Sequence, residues 1–171
     1  MDETSLSLHP PLRRCWMKRG QRKLIPAPGS PKFLHVFGAY NWRSSQVAYL
    51  TTERKNTDTF IAFLEHLLLR CYPTQKLVLV LDNASYHRSK AALAAIDIFT
   101  DRLRVVWLPK YSPFMNPIER FWLLLKNRAS ANCLHTSLGD LDRAIHNTVA
   151  LQNDLIFTER FIFAKHFRLL A

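Results

Sequence analysis

Five aliphatic residues, Leu77-Val78-Leu79-Val80-Leu81, run without a polar break and end on Asp82. Their lack of alternation predicts a strand buried on both faces, as in the middle of a mixed or parallel sheet. Asn83, Ala84 and Ser85 suit a tight exit from that strand. Asp82 is thus expected at the end of a central strand, where α/β sheets place ligand and catalytic groups. A carboxylate there needs a partner: a proton, a base or a metal ion. The plainer alternative is an Asx-turn, with Asp82 capping the segment that starts near Ser85.

A second anchor lies downstream. Arg104-Val105-Val106-Trp107-Leu108 reads as another strand, followed by a loop holding Pro109 and Pro113. Asn116 at the N-cap and Pro117 at the first helical position predict a helix start. Ile118, Phe121, Trp122 and Leu125 recur at helical spacing, so this helix buries one face. Glu119 falls at the third helical position. The bland alternative for it is half of a capping box, reaching back to the N-cap amide.

Asp82 and Glu119 lie 37 positions apart, room for one helix, one strand and one loop. Three blocks stand in order along the chain: "DETSLSLHPPLRRCWMKRG", "LDNASYH" and "LPKYSPFMNPIERFW". Together they resemble the DDE-type transposases of the mariner superfamily, in particular the bacterial insertion-sequence branch. The resemblance runs from Asp2 to about Arg128. It implies an α/β, ribonuclease H-like fold: a mixed sheet of about five strands, three antiparallel then two parallel, flanked by helices. It implies a catalytic trio carried onto Asp2, Asp82 and Glu119, which would also hold two Mg2+ or Mn2+ ions. The family's activity would be metal-dependent DNA cleavage and strand transfer during transposition. Its partners would be DNA and a second copy of the chain, and its location the bacterial cytoplasm, at the nucleoid.

The resemblance also sets an expectation about the first acid. Only Met1 precedes Asp2, so the first strand is expected to lack its N-terminal half and Asp2 to be loosely held, as untied chain ends are. The helix-turn-helix domain expected upstream in the family is absent from these 171 residues. The chain is therefore read as an N-terminally truncated transposase. The competing class is a catalytically silent remnant that only binds DNA nonspecifically.

At 171 residues the chain is expected to be one domain, with a core over about 1–130 and C-terminal helices over 131–171. A chain of this size buries roughly 70% of its unfolded surface and needs no disulfide to fold. Cys15, Cys71 and Cys133 are odd in number and widely spaced, which suggests a reducing compartment and no zinc site. No apolar run approaches the length of a membrane span.

The charge is strongly positive: 24 Lys and Arg against 13 Asp and Glu, with seven His residues counted neutral. Such a balance favours a polyanionic partner, most simply nucleic acid. Its distribution is sharper than its total. No acid occurs from Thr4 to Thr52, while Arg13, Arg14, Lys18, Arg19, Arg22, Lys23, Lys32 and Arg43 fall in that span. Arg13, Arg14, Lys18, Arg19, Arg22 and Lys23, with Lys110 and His87, are the candidate nucleic-acid contacts. For His87, five positions after Asp82, steering a carboxylate or a turn role are the alternatives. For the basic stretch, the alternative is a solvated face.

The remaining elements follow from local pattern. Arg14–Met17 and Arg22–Ile25 are expected as short strands around a turn at Lys18–Gln21. Phe33–Tyr40 and Gln46–Leu50 are expected as a hairpin. Thr57 is expected to cap a helix to about Arg70, with further helices over about Ser89–Ile98 and from Ser137, with Asp140 at its third position, to about Leu151. The stretch Phe157–Ala171 is expected to be helical, packing on the domain or on a second copy.

Overall fold

The computed structural model describes residues 1–22, 24–26, 29, 31–109 and 115–154. Three strands open the chain: β1 (Asp2–Ser7), β2 (Phe33–Tyr40) and β3 (Val47–Thr52). They form an antiparallel sheet in the order β1-β2-β3, with Asp2 opposite Gly38 and Phe37 opposite Leu50. Helix α1 (Thr57–Glu65) follows and continues as a π-helical segment, His66–Cys71. Then come β4 (Leu77–Leu81), α2 (Lys90–Asp97), β5 (Leu103–Trp107), α3 (Ile118–Ala129) and α4 (Leu138–Asp154). β4 and β5 pair in parallel. The Met1 nitrogen donates to the Val80 carbonyl at 2.8 Å and ties the first sheet to the second. The expected strands, three antiparallel and two parallel, are thus present as two sheets joined at that point.

Alternation along β1 and β2 sends side chains into two cores. On one side Phe37 and Ala39 meet Phe60, Phe63 and Leu64 of α1 and Leu79 and Leu81 of β4. On the other, Leu6, Leu34 and Val36 meet Ile118, Phe121, Trp122 and Leu125 of α3 and Leu141, Ile145 and Val149 of α4. These residues of α3 and α4 stand at helical spacing, so one stripe of each helix is apolar and buried.

Four expectations are corrected. β4 is not buried on both faces: Leu79 and Leu81 are packed, but Val78 is 67% exposed and its β5 counterpart Val106 is 44% exposed. The described helices cover β4 and β5 from one side, because α3 and α4 lie over the first sheet. Second, Arg14–Met17 and Arg22–Ile25 are not strands; Arg22–Ile25 includes Lys23, which is not described. Only the turn between them forms, with Gln21 N donating to Lys18 O at 3.1 Å and Gly20 at φ +82°. A β-rich composition without a neighbouring ladder leaves backbone groups to water.

Third, α1 is capped by Asn56 rather than Thr57: the Asn56 side chain accepts from Thr59 N, and the Thr59 hydroxyl returns to the Asn56 amide. Fourth, Asn116 is not an N-cap. Pro117 occupies that position with no side-chain cap, and Asn116 is buried with its amide donating to Met1 O at 3.1 Å. The capping box offered for Glu119 is therefore not formed.

Other expectations hold. Ser89 caps α2 through Ala92 N. Ser137 caps α4 through Asp140 N at 3.1 Å, and its hydroxyl donates to the Asp140 carboxylate. α4 extends to Asp154 rather than Leu151. The expected helix at Phe157–Ala171 lies outside the described residues, as do Lys23 and Lys110.

Candidate active site

Asp2, Asp82 and Glu119 come from β1, the end of β4 and the first turn of α3, as three elements that share one neighbourhood. β1 and β4 join through Met1 and Val80, two positions before Asp82. α3 joins β1 twice: through the Asn116 amide on Met1 O, and through Trp122 Nε1, which donates to Asp2 Oδ2 at 3.0 Å. Trp122 sits three positions after Glu119, so the two stand one turn apart on the helix. Asp82 is half-buried and Glu119 exposed.

Asp2 is firmly held, which corrects the expectation of a loose chain end. Its backbone lies in the β1–β2 ladder, and Met1 before it is only 6% exposed. One buried methionine and two hydrogen bonds do the work expected of a longer strand. Burial, then the Glu3 charge beside it and that of Glu119, push the Asp2 carboxyl up to about 7, against the opposing pull of hydrogen bonds from the Glu3 backbone and Trp122.

Gly38 makes this arrangement possible. A Cβ there would meet Trp122 Cη2 at 2.5 Å and Ile118 Cδ1 at 3.1 Å. Only a residue without a side chain lets the indole lie flat on β2 and reach Asp2. A lone glycine inside a strand pattern is the sequence signal of such close approach. Neither Gly38 nor the role of Trp122 as a donor to Asp2 was deduced from the sequence.

At Asp82 both sequence alternatives are realised together. Its Oδ1 accepts from Ala84 N at 3.1 Å, an Asx-turn, and is 2.8 Å from His87 Nδ1. The described contacts all fall on Oδ1. His87 is fully buried between Phe60, tilted against it at 44°, and Tyr86, edge-on at 67°, with ring centroids 4.5 Å away in each case. With no exposed surface it does not reach a bound nucleic acid in this fold, which corrects its expected contact with DNA; the contact it makes is with the Asp82 carboxylate. Beyond it, His87 Nε2 faces Glu3 Oε2 at 3.5 Å, and Glu3 Oε1 faces Lys55 Nζ at 3.8 Å. Asn83 donates to Leu108 O and accepts from Arg88, whose guanidinium lies 4.0 Å from the centre of the Trp107 ring. Sequence reasoning missed Glu3 and Lys55, which lie far from His87 along the chain and are brought to it by folding alone.

The donor set suits a hard divalent cation: carboxylate oxygens and no thiolate. The set is not closed, however. Among the described residues no three of His, Cys, Asp and Glu are grouped as metal ligands. Asp2 Oδ2 accepts from Trp122 and Asp82 Oδ1 lies against His87, so one oxygen of each aspartate is engaged by the protein.

The candidate nucleic-acid residues lie elsewhere. Residues 11–22, with Arg13, Arg14, Lys18, Arg19 and Arg22, are all exposed. Lys32 O accepts from Leu8 N and closes the base of this arm. Asn132, at φ +55°, pins its root: Asn132 N donates to Pro11 O, and its side chain exchanges two 2.9 Å bonds with the Arg13 backbone. Trp16 projects fully into solvent among these cations.

This architecture of three antiparallel and two parallel strands with helices is that of ribonuclease H-like transposase and integrase catalytic domains. The Mos1 transposase paired-end complex with the left transposon end superposes with a TM-score of 0.67 at 19% identity, covering 87% of this chain and 46% of that one. The Mos1 strand transfer complex gives 0.69 at 15% identity, covering 98% and 50%. The sequence pattern of the DDE superfamily endonucleases matches residues 1–142, and the chain belongs to that family. It is 26% identical over 146 residues to the insertion element IS630 uncharacterized 39 kDa protein of Shigella sonnei, covering 85% of this chain and 42% of the relative. The chain thus spans about half or less of the proteins it matches. The family and fold expected from the three sequence blocks are those found. No helix among the described residues is long and apolar enough to cross a membrane.

Proposed function

We propose that this chain is the catalytic domain of an insertion-sequence transposase, cutting DNA at the element's ends and joining it to a target. The observation that carries this reading is the half-buried Asp2 carboxyl, raised to about 7 beside Glu3 and Glu119, on a strand stitched to the one that leads into Asp82. Asp2, Asp82 and Glu119 would hold two divalent ions, Mg2+ or Mn2+. When bound, such ions activate the attacking oxygen and stabilise the leaving oxygen of a phosphodiester. Solved Mos1 paired-end complexes described as containing Mg and Mn support that choice.

The protein's own groups do the remaining work. Trp122 and the β1–β2 ladder fix Asp2, and the Asx-turn with His87 fixes Asp82. The arm cations Arg13, Arg14, Lys18, Arg19 and Arg22, together with Lys23 and Lys110, would neutralise DNA phosphates. A homodimer would hold two element ends together. The test is cleavage and strand transfer on end-containing DNA, with and without Mg2+ or Mn2+, by this chain and by one extended upstream. Metal-dependent products lost on Asp2→Ala support the reading. Products that persist in that variant overturn it.

A second reading, a catalytically silent DNA-binding module, is favoured by one observation: the acids are not closed into a metal-ligand group. It predicts DNA binding that ignores divalent ions and is unchanged by Asp82→Asn.

A further inference from the structure

Asp2 and Glu3 are adjacent on a strand, so their side chains leave opposite faces of the sheet. Asp2 turns to α3 and Trp122. Glu3 turns to the α1 side, where His87 packs against Phe60. Both Glu3 and His87 are buried: their side chains are 5% and 0% exposed. Buried polar atoms are ordinarily hydrogen-bonded. Yet Glu3 Oε2 and His87 Nε2 make no hydrogen bond of ordinary geometry, and each is the other's neighbour at 3.5 Å. On the opposite edge of the same ring, Nδ1 is 2.8 Å from Asp82 Oδ1. Packing alone would have been met by a phenyl ring between Phe60 and Tyr86. A buried imidazole with a carboxylate at each nitrogen is costlier to fold and calls for a reason.

We propose that Glu3 and His87 act as a positioning pair for Asp82: with one proton between Glu3 Oε2 and His87 Nε2, Glu3, anchored by Lys55, orients the imidazole so that Nδ1–H holds Asp82 Oδ1 and leaves Oδ2 for the substrate side. This rests on the reading of Asp82 as a metal-holding acid. The pair acts through Asp82 and touches neither DNA nor metal. Its logic is that of the outer shell around metal-ligating groups, whose loss typically weakens metal binding by about 10–100-fold. Glu3 follows Asp2 directly, so one strand supplies both a site acid on one face and the support of the other acid on the opposite face. Lys55 adds the loop before α1 to the same network, 3.8 Å from Glu3 and 5.9 Å from the centre of the Tyr86 ring.

The experiment uses the whole chain with two readouts. The first is Mn2+ affinity, followed by electron paramagnetic resonance, in wild type and in His87→Phe, His87→Asn and Glu3→Leu, each checked by thermal melting. His87→Phe keeps the ring and removes the donor, so it should bind Mn2+ about 10-fold or more weakly. His87→Asn offers an amide N–H near the Nδ1 position and should recover most of that loss. Phe binding as well as wild type would make the ring a filler and overturn the proposal. The second readout is the ring nitrogen spectrum of the metal-free protein. His87 Nδ1 should carry a slowly exchanging proton, and Glu3→Leu should speed its exchange about 10-fold or more. An unprotonated Nδ1, or an exchange rate indifferent to Glu3→Leu, overturns the pair whether or not metal binds. A wild type that shows both ring signatures but no Mn2+ binding overturns the metal reading of Asp82 and leaves the pair standing.

Discussion

The acid end of the molecule and its basic arm are built on opposite principles. Around Asp2 and Asp82, carboxylates are tied to named partners: Trp122, Ala84, His87, and through Glu3 to Lys55. In the arm, Arg13, Arg14, Lys18, Arg19 and Arg22 stand exposed, and the backbone is tied at its root and at one turn. A site that does chemistry needs atoms fixed to a fraction of an ångström, since misplacement by about 1 Å can cost on the order of 100-fold in rate. A surface that neutralises a phosphate backbone needs only charge density and reach. The difference teaches that the carboxylates are individually partnered, whereas the described arm cations are left to solvent.

Breaking the rigid half should have the largest effect. Asp82→Asn keeps an oxygen for the Asx-turn but removes the charge, so the domain should melt near the wild-type temperature. Strand cleavage should fall on the order of 100-fold or more, as for a displaced catalytic group. Melting curves beside a cleavage assay check both halves. A variant that unfolds would show Asp82 to be structural first.

Removing charge from the exposed arm should be felt in salt dependence rather than in fold. Neutralising Arg13, Arg14, Lys18 and Arg19 together should flatten the slope of log affinity against log salt, by about 0.9 for each of the four that meets a phosphate of duplex DNA. Stability should barely move, as for other exposed positions. Fluorescence anisotropy across a salt series measures the slope. An unchanged slope would make the arm a solvated face.

How far each half was legible follows from the same contrast. The hydrophobic run of β4, the helical spacing in α3 and the Ser137 cap of α4 are local patterns, and the structure has them where the residues said. The family blocks carried Asp2, Asp82 and Glu119; the fold stitches the elements that bear them through Met1 and Trp122. What was misread depended on partners distant in sequence. Asn116 looked like a cap but reaches Met1, 115 positions away. His87 looked like a surface contact, yet it is walled in by Phe60 and Glu3. Arg14–Met17 has strand-like composition, but no ladder stands beside it. Val78 continued an apolar run without a described helix to cover it. Such features are settled by tertiary packing, which local propensity does not encode.

Gly38 sharpens the comparison at the level of a single methyl. Gly38→Ala places a Cβ 2.5 Å from Trp122 Cη2, well inside contact distance and against a buried indole. Overpacking of this kind costs about 1–3 kcal/mol. The indole must shift, and its 3.0 Å bond to Asp2 should lengthen or break. Denaturant titration should show the loss, and tryptophan fluorescence the displaced ring. Gly29, in the arm, has nothing within 4 Å of its would-be Cβ, so Gly29→Ala should be neutral.

A further effect is one of pH, and its sign is unusual for an aspartate. In the unfolded chain Asp2 releases its proton near 3.8; in the fold, burial and then the charges of Glu3 and Glu119 hold it to about 7. Between those values the folded state carries one proton more than the unfolded state. Stability from this group is therefore present in full below 3.8 and drains away as pH rises, the loss being complete just above 7. Metal-free wild type should lose Tm relative to Asp2→Asn as pH goes from 5 to 8, since asparagine carries no charge to desolvate. A divalent cation held by Asp2 would compensate the carboxylate and should restore the difference at pH 8, where the charge is uncompensated, more than at pH 5, where a proton already neutralises it. Thermal melts of the two proteins at both pH values, with and without Mg2+, decide the matter. Parallel curves would mean that Asp2 is solvated and normal, and that the tight end of the molecule is looser than its hydrogen bonds indicate.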